Sequence, residues 1–260
     1  MQDNLLNQIE NILNNIKNTF SQPYNAKSII IIKKYFSELK TLVHKNISSF
    51  NKKLMASDKF NNLTTLSRQY YERLYMFDES ETTLKLIRKR SIDKFISNNV
   101  TLADKEIEHL ESLQFVPTSK ICFIGSGPYP WSAIEYSYRL NVLVTCIDYR
   151  PEAIVLSKHL IDHFQLNDKV DVIQSDAMEI DYSPFSHVII AAMVHPKKEI
   201  LHKIYKSINK NVKIMIRSGI GPYRLFYEHV DVNILNEFGV FNKLRGNKYC
   251  ELESYIITKQ

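Results

Sequence analysis

Residues 120–148 constrain the fold of this chain more than any other stretch of its sequence. Four uncharged, apolar residues at 121–124 predict a short strand that is buried on both faces. The turn Gly125-Ser126-Gly127 follows, where the backbone must reverse sharply and can approach a ligand closely. Apolar residues then recur at helical spacing over 131–138, and a second apolar run at 142–147 predicts another buried strand. This order of elements is typical of a βαβ unit that binds a nucleotide.

The acidic residues after the strands indicate which nucleotide is bound. Asp148 lies 23 positions after Gly125, close to the ~20 expected for an acid that binds a ribose. A dinucleotide site would continue to a third glycine, but Pro130 takes that place. Asp176-Ala177 follows the third predicted strand, and with Asp148 it resembles the adenosine pocket of S-adenosylmethionine-dependent folds. The alternative for Asp176 is a carboxylate that only caps a turn.

The remainder of the chain separates into a helical half and an α/β half. Residues 1–116 contain almost no glycine and carry apolar residues at helical spacing, which predicts a bundle of five or six helices, with a break between 63 and 66 and a later helix reaching 96. Residues 117–260 alternate strands and helices, which predicts a Rossmann-like, doubly wound parallel sheet. The further strands are predicted at 170–173, 187–192 and 212–216, and a last one at 249–258 lies at the edge of the sheet. The amphipathic first helices offer a face for a homodimer.

Composition excludes several classes of protein. The chain is 44% hydrophobic and 24% charged, as in ordinary globular proteins. Its formal charge of +6 is mild and no long basic run is present, so no nucleic-acid partner is predicted. No apolar run approaches the ~18 residues of a membrane span, and residues 1–4 do not resemble a signal peptide. Cys122, Cys146 and Cys250 have no metal-ligand or disulfide spacing, which predicts a reducing cytoplasm and no metal site.

Three segments resemble the nicotianamine synthase family, and they stand in that family's order and spacing. Residues 123–130 resemble its F-x-G-S-G-P-x-P glycine turn. Residues 191–199 resemble its A-A-L-V…K-x-E segment, and residues 217–227 resemble its R-S-x-x-G segment. The resemblance is firm over about 120–230 and looser in the helical half. The chain length and the Asn/Lys-rich composition make the bacterial opine-metallophore branch of the family the most similar.

The resemblance implies a fold and a reaction. The fold is class I methyltransferase-like, with an N-terminal helical domain. S-adenosylmethionine is a co-substrate whose 3-amino-3-carboxypropyl group moves to the amine of an amino acid, D-histidine in the branch named, and methylthioadenosine leaves. The product is an intermediate of a staphylopine-type metallophore and passes to an opine dehydrogenase. Two alternatives stay open, namely a methyltransferase on the same fold and a non-catalytic module that binds S-adenosylmethionine or RNA.

The resemblance also implies roles for individual residues. The family's catalytic glutamate falls on the segment Asp78-Glu79-Ser80-Glu81, where Glu81 is the first candidate for the base or amine anchor and Glu79 the second. The alternative for Glu81 is a solvated helix face with Lys85 as an i+4 partner. The donor would be bound by Gly125, Ser126, Gly127, Pro128, Asp148, Tyr149, Asp176, Ala177 and Ala192, and the acceptor by His195, Arg217 and Arg224.

Several of these assignments have competing interpretations. Arg217 and Arg224 could bind a carboxylate through their guanidinium forks, or form an ion pair between the domains. Tyr149 could cover the adenine or lie on a surface turn, and His195 could touch the acceptor or be a polar loop residue. The family's F-x-Y-x-N-Y stretch has no tyrosine counterpart at 95–99. This difference favours an acceptor other than that of the plant enzymes.

Overall fold

The computed structural model describes residues 2–22, 25–89, 106–108, 119–239, 241–245 and 251–259. The chain divides into two compact units. The first comprises Met1–Phe77 and Gly219–His229, and the second comprises Asp78–Ser218 and Val230–Gln260. The predicted domain boundary after residue 116 lies outside the described residues and stays a prediction.

The first unit is built mainly from helices. They are α1 (Gln2–Phe20), α2 (Ala26–Lys45), the short α3 (Lys52–Met55) and the beginning of α4 (Asp58–Ile87), with a 3₁₀ turn at Ile47–Ser49. The predicted apolar stripes are buried, for example Ile9 and Ile16 in α1 and Ile32 and Leu39 in α2, which confirms the amphipathic interpretation. The predicted break between 63 and 66 is wrong, because α4 is continuous through these residues. The helix contains no glycine or proline that would interrupt it.

The second unit is organised around a seven-stranded sheet. Its strands are β1 (Lys120–Ile124), β2 (Leu143–Asp148), β3 (Val170–Gln174), β4 (His187–Ile190), β5 (Lys213–Gly219), β6 (Phe241–Arg245) and β7 (Leu252–Thr258). Their order is β3-β2-β1-β4-β5-β7-β6, and β1 to β5 pair in parallel. The connecting helices are α5 (Trp131–Arg139), α6 (Pro151–His163), α7 (Lys197–Ser207) and α8 (Val232–Asn236).

The end of the chain corrects one topological prediction. The last strand was expected at the edge of the sheet, but β7 lies between β5 and β6. The edge strand is β6, which pairs with β7 in the antiparallel sense. Sequence periodicity missed β6 because its five residues, Phe-Asn-Lys-Leu-Arg, carry only two apolar side chains.

Alternation along β1 shows why helices cover both faces of the sheet. Ile121 and Phe123 point into a core that α5 and α6 complete, whereas Cys122 and Ile124 point into a second core completed by α7. Both cores are apolar, so each strand is buried on both sides, as in a doubly wound fold. Because β1, β2 and β3 pair in parallel, they end at the same edge of the sheet. Ligands bind at this edge in such folds.

The two described cysteines behave as core residues. Cys122 and Cys146 are fully buried, and burial raises the pKa of both thiols. Such thiols stay protonated and unreactive. Cys250 lies outside the described residues.

No helix in the described part of the chain combines the length and apolarity that a membrane crossing requires.

His187, the first residue of β4, makes stability depend on pH. Burial, with a smaller contribution from the charge of Lys213, lowers the pKa of its imidazole from 6.5 to about 4. The unfolded chain therefore takes up a proton below pH 6.5 that the folded chain does not, so the free energy of unfolding falls as pH decreases from 6.5 towards 4. We expect this residue to lower that free energy by about 2 kcal/mol at pH 5 relative to pH 8. Urea unfolding at both pH values measures the difference.

A pair of variants isolates this contribution from other titrating groups. His187→Gln should show a smaller difference between the two pH values than the wild type, because glutamine does not titrate. His159→Gln removes an exposed histidine on α6 and should leave the difference unchanged. An unchanged difference in His187→Gln would contradict the assignment.

Candidate active site

The glycine turn between β1 and α5 is shaped by two residues that must be glycine. Gly125 and Gly127 have φ angles of +76° and +66°, which side-chain-bearing residues rarely adopt. Space is also missing at both positions. A Cβ atom at residue 125 would collide with a methyl group of Val194, and one at residue 127 would collide with Oε2 of Glu79.

Asp148 is tied directly to this turn. It is the last residue of β2 and 7% exposed. Its Oδ2 accepts a hydrogen bond from Gly127 N at 2.9 Å, and its Oδ1 accepts one from Arg150 N at 3.0 Å. Burial raises the pKa of the carboxyl group, against the lowering effect of these backbone donors. Because each carboxylate oxygen can accept a second hydrogen bond, Asp148 retains the capacity to bind ligand hydroxyl groups.

Glu79 brings a carboxylate to the other side of the turn. A Cβ on Gly127 would lie 3.5 Å from Cδ of Glu79, so the carboxylate touches the glycine. One helical turn later, the fully buried Thr83 donates its hydroxyl hydrogen to Pro128 O at 2.7 Å. Residues i and i+4 share a helix face. This face of α4 therefore rests on the glycine turn.

Glu81 lies in a different environment from Glu79. Its side chain is 45% exposed, and its Oε2 lies 3.9 Å from Nζ of Lys85. This geometry matches the alternative of a solvated helix face, because two residues along a helix is a rotation of about 200°. The structure thus places Glu79, and not Glu81, against Gly127, while the catalytic role of either glutamate stays a prediction.

The residues after β2 and β3 lie near one another. Partial burial, followed by the negative charges of Asp148 and Asp176, raises the pKa of the Tyr149 phenol. Tyr149 is 59% exposed, and its hydroxyl accepts a hydrogen bond from Arg150 Nε at 3.1 Å. Oδ1 of the exposed Asp176 accepts from Met178 N at 2.8 Å, which is the turn-capping contact weighed above. Ala177 is buried in the core beneath.

The segment after β4, up to the first residue of α7, contributes two residues that sequence reasoning missed. Val194 packs on Gly125, and Lys197 is 2% exposed with its Nζ donating to Ala192 O at 2.8 Å. The lysine thereby holds the buried Ala192 in place. The only signal in the sequence was its position inside the family-like segment 191–199. His195, predicted to touch the acceptor, is exposed.

Ser126, between the two glycines of the turn, is buried. Its side chain is 4% exposed, and its hydroxyl dipole partly opposes the rise in the pKa of the Cys146 thiol. Pro128 is buried as well. Both residues shape the turn through packing below it.

Arg217 does not present its guanidinium fork to a ligand. Its Nε and Nη2 donate to the two carboxylate oxygens of Glu106 at 3.0 and 2.6 Å. The ion-pair interpretation therefore describes this residue, although both partners belong to the second unit. We correct the prediction that Arg217 binds a substrate carboxylate. Arg224 belongs to the first unit, and its predicted role stays a prediction.

Among the residues that the structure describes, no group of three or more His, Cys, Asp or Glu side chains could hold a metal ion.

Comparisons with known proteins identify the family of this chain. The protein-family model described as "Nicotianamine synthase protein" matches residues 1–260 of this chain. An L-histidine 2-aminobutanoyltransferase of Yersinia pestis is 28% identical over 41% of this chain and 40% of its own length. One from Pseudomonas aeruginosa is 25% identical over 45% of each chain. The aligned part of this chain thus spans less than half the length of these curated relatives.

A solved structure matches over nearly the whole chain. Nicotianamine synthase MtNAS in complex with MTA and tNA covers 98% of this chain and 97% of its own, with a TM-score of 0.74 and 20% identity. A glutamate-to-glutamine mutant of MtNAS in complex with S-adenosylmethionine gives a TM-score of 0.72. This likeness confirms the predicted α/β, class I methyltransferase-like fold. With the family match over the full sequence, it follows that this chain belongs to the nicotianamine synthase family.

Proposed function

We propose that this protein transfers the 3-amino-3-carboxypropyl group of S-adenosylmethionine to the amine of an amino acid and releases methylthioadenosine. The observation that carries the proposal is the carboxylate of Glu79 against Gly127. A turn that binds the donor through its backbone needs no acid at this position. A reaction whose nucleophile arrives as an ammonium ion does need one, because the nitrogen must lose a proton before it can attack.

The residues around the turn fit S-adenosylmethionine. The two glycines let Val194 and Glu79 approach the backbone of the turn closely, and a glycine turn of this kind can bind the amino-acid part of the donor through its backbone. Asp148 can accept hydrogen bonds from the ribose hydroxyls. The charges of Asp148 and Asp176 both act on the Tyr149 phenol, so Tyr149 and Asp176 are the residues that we propose border the adenine. When bound, S-adenosylmethionine supplies an electrophilic Cγ carbon and a sulfur leaving group.

Glu79 acts on the acceptor amine. It takes the ammonium proton onto a carboxylate oxygen, the nitrogen lone pair then forms a bond to Cγ, and the carbon–sulfur electron pair leaves with methylthioadenosine. Atoms and charge balance, since the first ammonium proton resides on Glu79 and the positive charge of the sulfonium passes to the product nitrogen, which becomes a secondary ammonium. Positioning of nitrogen and carbon at ~3–3.5 Å is the main contribution expected from the protein in such a displacement.

Histidine is the acceptor that we propose. The resemblance to the opine-metallophore branch favours the D enantiomer, whereas the curated relatives are named for L-histidine. The identity of 25–28% to these relatives supports the acceptor class and leaves the enantiomer to experiment. By the same resemblance we propose that the product enters staphylopine-type metallophore synthesis through an opine dehydrogenase.

The test is mass spectrometry of purified enzyme incubated with S-adenosylmethionine and either D- or L-histidine, with other amino acids as further arms. Methylthioadenosine together with histidine heavier by one aminobutanoyl unit supports the proposal and identifies the enantiomer. S-adenosylhomocysteine together with a methylated acceptor would refute it in favour of a methyltransferase. Donor binding without any turnover would leave a binding module.

Replacing Asp148 should weaken donor binding specifically. Asp148→Asn removes the negative charge that the ribose hydroxyls face, and hydrogen bonds to charged groups contribute ~1.5–3 kcal/mol each. We expect the dissociation constant for S-adenosylmethionine to rise about 10- to 100-fold, measured by isothermal titration calorimetry. Asp162→Asn, at an exposed position on α6, is the matched control and should bind as the wild type does. Equal affinity in both variants would exclude Asp148 from the donor site.

A further inference from the structure

A buried polar network lies beside the glycine turn and has no part in the reaction proposed above. Arg217 and Glu106 form its centre through two hydrogen bonds of 3.0 and 2.6 Å. Arg217 Nη2 also donates to Ser132 Oγ and to the Tyr136 hydroxyl oxygen, both at 3.1 Å. Glu106 accepts further hydrogen bonds from Tyr136 at 2.5 Å and from Ser254 at 2.7 Å.

All the charges in this network are removed from water. Glu106 is 1% exposed, Arg217 9% and Tyr136 fully buried. Burial by itself lowers the pKa of the Arg217 guanidinium, but the Glu106 carboxylate more than reverses this effect. Burial and the same carboxylate raise the pKa of Tyr136 well above its ordinary value. The guanidinium is therefore charged, and the phenol is a hydrogen donor.

A buried ion pair of this kind contributes little to stability compared with well-packed apolar residues, because desolvation offsets its attraction. Its value lies in direction, since a bidentate guanidinium–carboxylate pair permits only one relative orientation of its partners. A buried polar network that is fully satisfied can specify a unique geometry.

The elements joined by this network border the glycine turn on both sides. Ser132 and Tyr136 belong to α5, which begins at Trp131 directly after the turn. On the preceding side, the Arg217 guanidinium lies 5.5 Å from the ring centre of Phe123, two residues before Gly125. Arg217 and Ser254 anchor these contacts on β5 and β7.

We propose that Arg217 and Glu106 are positioning residues that set the direction of α5 and thereby the conformation of the glycine turn that receives the donor. Tyr136 and Ser132 transmit this orientation, since both are on α5 and both bind Arg217. The inference rests on the proposed function only in taking S-adenosylmethionine as the ligand of the turn. It assigns Arg217 a role in donor affinity without contact to the donor.

Replacement of the whole network by apolar residues separates positioning from stability. Glu106→Leu alone leaves an unpaired buried cation and should lower the melting temperature strongly. The triple variant Glu106→Leu/Tyr136→Phe/Arg217→Met should regain most of that stability. If the network positions the turn, the dissociation constant for S-adenosylmethionine stays at least tenfold above that of the wild type in the triple variant.

Two milder changes keep the test decisive if the triple variant does not fold. Tyr136→Phe removes one hydroxyl without a large change in volume, and Arg217→Lys keeps the charge but loses the bidentate fork. Both should raise KM for S-adenosylmethionine about three- to tenfold with a smaller change in kcat. Glu10→Gln, which breaks an exposed ion pair with Lys59, is the control and should change neither.

Each outcome bears on the proposal. Wild-type donor affinity in a stable triple variant, or in both milder variants, would show that the network is only structural and would overturn it. The readout for this inference is calorimetric binding of S-adenosylmethionine, which does not depend on the reaction that follows. If the wild type binds the donor but makes S-adenosylhomocysteine, the proposed reaction is refuted, and the binding measurements on the variants still test the positioning role.

Discussion

Glu79→Gln is expected to lower kcat for methylthioadenosine formation about 100- to 1,000-fold, within the range that a positioned general base contributes. Glutamine has nearly the same shape as glutamate but cannot accept the ammonium proton. Because the Glu79 carboxylate touches Gly127 whereas Glu81 is half-exposed and faces Lys85, the loss should be confined to residue 79. Initial rates at saturating donor and acceptor measure it.

Glu81→Gln is the matched control for this experiment, because it makes the same chemical change two residues away on the same helix. We expect its kcat within about threefold of the wild type, as for an exposed i,i+4 pair of small energetic contribution. Calorimetry should show that both variants still bind S-adenosylmethionine. The reverse order, with Glu81→Gln inactive and Glu79→Gln active, would restore the ranking that the sequence alone suggested.

Gly127→Ala should abolish most of the activity, with kcat/KM reduced about 100-fold or more. A steric collision with Glu79 and backbone strain both contribute. The new methyl group would collide with Oε2 of Glu79, and the carboxylate at the end of that flexible side chain would move away. The φ angle of +66° adds backbone strain of about 1–2 kcal/mol. We therefore expect a large decrease in kcat/KM and only a small decrease in the free energy of unfolding, because the displaced group is the proposed base.

Gly221→Ala isolates the strain from the collision. Gly221 also has a positive φ, +48°, but a Cβ there would meet no atom within 4 Å. We expect this control to lower the free energy of unfolding by a similar 1–2 kcal/mol. In the Glu79→Ala background, Gly127→Ala should destabilise the protein less than it does in the wild type. An additive effect of the two changes would indicate that the methyl group and the carboxylate do not meet.

The sequence by itself determined the fold class and the location of the site. The buried strand at 121–124, the two glycines and Asp148 follow from local patterns, because strand burial, positive φ and an acid at a strand end each have a signature within a few residues. The structure confirms the strand, the turn and the hydrogen bond from Gly127 to Asp148. The segment 78–81 was identified as the source of a carboxylate by its resemblance to the nicotianamine synthase family and not by a local pattern.

Only the tertiary structure decided which side chains of that segment and of β5 meet the site. Glu79 and Glu81 are two residues apart, so their sequence neighbourhood is almost the same, and the docking of Thr83 on Pro128 determines which one faces the turn. Arg217 appeared equally suited to a ligand and to an ion pair until Glu106, 111 residues away, filled its fork. The order of β7 and β6 was likewise hidden, because strand order depends on pairing between distant segments. Contacts of this kind join residues that are remote in sequence, so local patterns in one amino-acid sequence do not predict them.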